Sequence, residues 1–140
     1  MKKILIINGV NLNLQGKREI QIYGNQSFEE YLLSLKQHFS TYNIEIDYFQ
    51  SNSEKEIVER IHRCNSFDSL IINAGAFSHT SLAIADAIRA TNIIAIEVHI
   101  SNIYNREIIR KKSLLSSCCK GSICGFGLDG YRLAIEHIIK

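Results

Sequence analysis

Five apolar, β-branched runs alternating with helical patterns predict an α/β chain: a flavodoxin-like five-stranded parallel sheet with helices on both faces. Two further observations narrow this. Runs such as ILII and LIIN are continuously apolar, as expected of strands covered on both faces. Right-handed crossovers linking five such units make 2-1-3-4-5 the leading strand order. At 140 residues the chain suits a single domain spanning 1–140.

The elements follow in order. Residues 3–7 form the first strand, and a long polar loop runs to about Gln26. Ser27 with Glu30 makes a capping box that opens a helix reaching about Tyr42, and Ile44–Gln50 is strand two. Ser53 with Glu56 repeats the box for a helix ending near Cys64. Residues 70–73 are strand three, about 80–91 an Ala-rich helix, 93–99 strand four, 122–124 a short fifth strand, and 128–139 the last helix. Residues 105–115 read as irregular with a helical turn.

Hydrophobic residues make up 46% and charged residues 21%, with a formal charge of only +2. That balance argues against nucleic acid or a membrane as partner. The opening MKKILIING has a basic start, but its four-residue apolar run is short of what a signal peptide needs. No stretch has the length of a membrane span. The expected location is the cytoplasm. Cys64, Cys118, Cys119 and Cys124 lack C-x-x-C spacing, and the loose His62-x-Cys64 points its side chains apart on a helix. Reduced thiols and no metal site are the expectation.

In a parallel sheet, ligands bind at the carboxyl ends of the strands. There the sequence places Asn8-Gly9-Val10-Asn11, Asn73 through His79, and Glu97-Val98-His99 followed by Ser101 and Asn102, beside a loop holding Arg18 and Tyr23. Asn8 and Asn73 taken singly also suit turns. Glu97 and His99 alternate on strand four, so both side chains point to one side of the sheet. An acid and an imidazole on an otherwise apolar strand are costly unless paired or used. Gly125-x-Gly127-x-x-Gly130 matches a dinucleotide fingerprint, but only ten residues follow it, too few for the acidic strand that fingerprint requires. Those glycines are expected to serve a tight turn and close helix–sheet packing. A phosphoacceptor receiver domain would need Asp at the end of strand three, where Asn73 stands.

Four blocks carry a specific likeness: NGVNLNLQGKREIQIYG, NAGAFSHTS, IEVHISNIYNREIIRKKS and GSICGFGLDGYRLA. In order and spacing, from residue 4 to the last helix, they resemble the type II 3-dehydroquinate dehydratases. The resemblance implies a hydro-lyase of the shikimate pathway of aromatic amino acid biosynthesis, which converts 3-dehydroquinate to 3-dehydroshikimate through an enolate. It implies no cofactor and no metal. Tyr23 is then the general base at C2, assisted by Arg18, with Asn11 holding the enolate. His99 is the general acid for the departing hydroxyl, oriented by Glu97. Asn73, His79, the Ile100–Ser101 backbone and Arg110 grip the substrate, and Asp86 reaches in from a neighbouring subunit. A homododecamer built as a tetramer of trimers is also implied.

The chemistry of these residue types agrees. A free tyrosine is only about 0.1% ionised at neutral pH, and a guanidinium held close favours the phenolate. A carboxylate on one imidazole nitrogen fixes the tautomer presented by the other. Backbone N–H groups just beyond a strand end suit an anion. The chain departs from the family pattern at Val10 and Ile20, where proline is usual, and at Tyr104, Asn105 and Ile109, where His, Ala and Phe are usual. It has no proline at all. The departures bear on lid rigidity and substrate affinity and leave each chemical position intact. Two rival classes stand beside this one. A Schiff-base lyase needs a desolvated lysine, which no lysine here suggests. A flavin- or nucleotide-binding module could use the same fold.

Overall fold

The computed structural model describes residues 1–140. Its strands are β1 (Lys2–Asn8), β2 (Ile44–Gln50), β3 (Ser69–Asn73), β4 (Ile94–His99) and β5 (Gly121–Cys124), all parallel in the order β2-β1-β3-β4-β5. The helices are α1 (Ile20–Tyr23), α2 (Phe28–His38), α3 (Glu54–His62), α4 (Leu82–Thr91) and α5 (Asp129–Ile139).

Strand alternation divides the core into two layers. Ile4 and Ile6 of β1 face Phe28 and Leu35 of α2 and Tyr131 and Ile135 of α5. Leu5 and Ile7 face Ile57 and Ile61 of α3 and Ile84 and Ile88 of α4. Ile4 through Ile7 are fully buried, each side chain contributing about 1.5–3 kcal/mol by leaving water. Glu97 and His99 share the α3–α4 face of β4 with Ala95, whereas Asn8 and Asn73 fall on the α5 face with Ile6 and Ile71. No helix is long and apolar enough to cross a membrane.

Both capping serines act as expected. Ser27 Oγ accepts from Glu30 N–H and Ser53 Oγ from Glu56 N–H, each at 3.2 Å. In the second box the Glu56 carboxylate accepts from Ser51 Oγ, whose oxygen in turn takes the Ser53 N–H at 2.9 Å. Two expectations need correction. α2 stops at His38 and does not run to Tyr42, because the chain tightens into three-residue hydrogen bonds, Ser40 N–H to Gln37 and Tyr42 N–H to Phe39, that turn Phe39 into the core. The long loop before Gln26 is not free of structure: it holds a 3-10 turn at Leu12–Leu14 and the single turn of α1.

Two glycines stand at close approaches of the chain. A Cβ on Gly9 would lie 2.2 Å from the Ala74 carbonyl oxygen, where the ends of β1 and β3 meet. A Cβ on Gly130 would press on Val98 at 3.1 Å, so this glycine lets α5 lie close to β4. The glycine-rich run thus serves a turn and helix packing.

Candidate active site

The carboxyl ends of β1, β3 and β4 open into one cleft, roofed by residues 12–23 and by the segment after β4. Asn11, Arg18, Tyr23, Asn73, His79, His99, Ile100, Ser101 and Arg110 all line it, as does Arg106, which sequence reasoning did not single out. Glu97 lies behind His99, outside the lining. Asp86 is on the exposed face of α4, paired with Arg89 at 3.3 Å and outside this chain's cleft.

Tyr23 sits at the end of α1, nearly buried. Its hydroxyl accepts a 2.6 Å hydrogen bond from Arg106 Nη1, which also donates to Ser101 Oγ at 3.2 Å. Arg18 reaches the tyrosine differently: its guanidinium lies 4.3 Å from the ring centre, while Nη1 binds Glu19 at 2.8 Å. The two cations meet the tyrosine at different places, Arg106 at the phenol oxygen and Arg18 over the ring face. The buried Gln15 amide fastens the Tyr23 carbonyl from below. Glu19, in the left-handed region at φ 41, makes the bend that returns the chain from Arg18 to Tyr23.

His99 and Glu97 are paired as strand alternation required, with Nε2 donating to Glu97 Oε2 at 2.7 Å. A carboxylate only accepts, so Nε2 carries hydrogen and Nδ1 is the nitrogen left for chemistry. Glu97 also accepts from Ser113, and from Ser116 and Ser122 at 2.8 Å each. Burial pushes its carboxyl up, but hydrogen bonding to His99, the charge of His99 and the serine hydroxyls outweigh that and bring it from 4.5 down to about 2. A depressed carboxyl contributes stability that is present above its unfolded value and is lost as pH falls through the folded one. Denaturant midpoints of the wild type should therefore fall between about pH 4.5 and about 2 more steeply than those of Glu97→Gln. Parallel pH dependences in the two proteins would contradict this ionisation state.

The remaining polar groups are set by the strand ends. Asn73 donates to the Tyr131 hydroxyl at 3.0 Å and accepts from Gly75 N–H at 3.2 Å, while Tyr131 donates to Asn8 at 2.7 Å. Asn8 is therefore a buried strut under the cleft rather than a turn residue. His79 lies in a 3-10 turn, Gly75–His79, ahead of α4 and not at the start of that helix. Its Nδ1 donates to the Lys112 carbonyl at 2.8 Å, and its ring stacks near His99 with centres 6.1 Å apart. Asn11 takes a left-handed conformation at φ 67, which turns the chain into the cleft. No intramolecular acceptor is found for the N–H groups of Ile100 and Ser101, which leaves them for an anion. Arg110, tied to Glu107 at 3.1 Å, adds a cation at the same rim.

A cation-flanked tyrosine, a carboxylate-backed imidazole and free backbone donors can together remove one proton, deliver another and hold a carboxylate. The family model described as dehydroquinase class II matches residues 2–139. The chain belongs to the class II dehydroquinase family. Among relatives of this family, the 3-dehydroquinate dehydratase of Caldicellulosiruptor bescii is 50% identical over 137 residues, covering 96% of this chain and 94% of that one. That of Buchnera aphidicola is 51% identical over 138 residues, covering 98% and 90%. The crystal structure of a type II dehydroquinase from Butyrivibrio crossotus superposes with a TM-score of 0.96 at 42% identity, covering 99% of this chain and 98% of that one. The dehydroquinase fold thus extends over the whole chain, cleft and lid included.

Proposed function

We propose that this chain dehydrates 3-dehydroquinate to 3-dehydroshikimate as a type II hydro-lyase of aromatic amino acid biosynthesis, with Tyr23 as base and His99 as acid. The observation that carries the reading is the Tyr23 hydroxyl held by Arg106 beneath the Arg18 guanidinium, opposite an imidazole fixed by Glu97. Tyrosinate removes a C2 proton, and the electron pair moves onto the C3 carbonyl as an enolate that Asn11 holds. His99 protonates the C1 hydroxyl, which leaves as water while the C1–C2 double bond forms. Asn73, His79, Arg110 and the Ile100–Ser101 backbone grip the carboxylate and ring hydroxyls. No lysine lines the cleft, and no cluster of three His, Cys, Asp or Glu side chains could bind a metal.

The test is to mix pure protein with 3-dehydroquinate and follow near-UV absorbance of the conjugated enone. Expected is a rise that survives a strong chelator and borohydride. No rise sinks the function, and loss under either treatment sinks the enolate route.

Residues 1–140 act as one catalytic unit in this reading, in the cytoplasm, and assemble as a homododecamer of four trimers. Asp86 then completes a neighbour's cleft, which fits its exposed position on α4 near exposed Ala90; Ala87 instead packs into this chain's core. Tyr23→Phe and Asp86→Ala proteins should each be weak alone. Co-refolded, they should exceed the mean of the two, because some sites join an intact Tyr23 to an intact Asp86 from another chain. If verified mixed assemblies gain nothing, Asp86 is not shared.

A further inference from the structure

We propose that Ser113, Ser116 and Ser122 are positioning residues, a three-hydroxyl cage that locks Glu97 so that His99 keeps hydrogen on Nε2 and presents Nδ1 to the cleft. The inference rests on the reading of His99 as the proton donor. Glu97 is only 1% exposed, and both its oxygens are fully engaged. Oε2 accepts from His99 and Ser113; Oε1 accepts from Ser116 and Ser122. A carboxylate has about four lone-pair sites, so four donors leave no place for a proton. Ser113 Oγ accepts the Leu115 N–H at 3.1 Å, which leaves its own hydrogen for Glu97.

The three hydroxyls come from two separate supports. Ser122 is the direct neighbour of Glu97 in the β4–β5 register. Ser113 and Ser116 lie on a strap fastened to the turn after β3, through Leu114 N–H to the Ser78 carbonyl at 2.7 Å and His79 Nδ1 to the Lys112 carbonyl at 2.8 Å. A buried carboxylate held by one imidazole alone could rotate and let the ring bind through either nitrogen. Fixing it from both sides removes that freedom and costs no rearrangement during turnover. The same strap touches His79, so the substrate-gripping turn and the acid share one support.

The experiment is magic-angle-spinning NMR of protein carrying histidine labelled with 15N at Nδ1 only, at mildly alkaline pH, with His99→Gln identifying the His99 signal. In the wild type, the neutral His99 ring should carry its one hydrogen on Nε2 and leave Nδ1 bare, ready to take up and then deliver the second proton of the cationic acid form. In Ser122→Ala and in Ser113→Ala/Ser122→Ala, a protonated Nδ1 population should appear. kcat should fall by about tenfold to a hundredfold, the usual scale for losing such support, with KM little changed. Ser122→Thr, which keeps a hydroxyl, should restore both. A single unprotonated signal in the folded double variant, or tautomer mixing with wild-type kcat, overturns the proposal. Failure of the functional reading looks different: the tautomer responds to the serine substitutions, but the wild-type chain forms no enone.

Discussion

Tyr23→Phe is expected to lower kcat at least about 10²-fold, the scale for losing a proton-transfer group, while KM changes little. The substitution removes one oxygen and keeps the ring on which Arg18 stacks. Arg106 retains Ser101 as a partner, so the roof of the cleft stays in place. A base acts mainly in the transition state, so its loss belongs in kcat. Steady-state kinetics by enone absorbance separate the cases: a raised KM with unchanged kcat would make Tyr23 a binding residue. The two arginines should part company as well. Arg106→Gln removes the cation at the phenol oxygen and should cost more in kcat than Arg18→Gln, which removes one stacked on the ring face. Equal losses would contradict that division.

His99→Ala should likewise lower kcat at least about 10²-fold, because the departing hydroxyl then leaves without a proton. It also leaves the buried Glu97 carboxyl with only serine hydroxyls as partners, and removing one member of a buried pair costs about 3–5 kcal/mol. The variant should therefore unfold at lower denaturant. Added imidazole, able to enter the space left by the ring, should recover part of kcat. A folded His99→Ala protein with wild-type turnover would exclude His99 as the acid.

The parallel sheet was legible because β1 and β3 are apolar on both faces, as strands covered on both sides are, and its order followed from right-handed crossovers. The Glu97–His99 pair was legible because two-residue alternation fixes relative direction along a strand. Arg106 was not singled out, for it lies 83 residues from Tyr23 and reaches it from an irregular segment whose path no periodicity encodes. Ser122 carried a faint signal, since register sets it beside Glu97; Ser113 and Ser116 carried none until the strap was placed. Asn8 was ambiguous because a strand-end asparagine reads as a turn, whereas burial against Tyr131 makes it a strut. Asp86 shows the limit of a single chain: its exposed place on α4, outside this chain's cleft, is plain and goes no further.

The division of labour between Tyr23 and His99 is tested most directly by solvent exchange at C2. 3-Dehydroquinate is incubated with each variant in D2O, and the C2 proton signal of remaining substrate is followed alongside enone formation, with a protein-free control. His99→Ala should exchange the C2 proton faster than it forms enone, since the enolate still forms but cannot lose its hydroxyl. Tyr23→Phe should do neither above the control. Exchange that persists in Tyr23→Phe, or that disappears in His99→Ala together with elimination, would contradict a stepwise reaction with Tyr23 as base and His99 as acid.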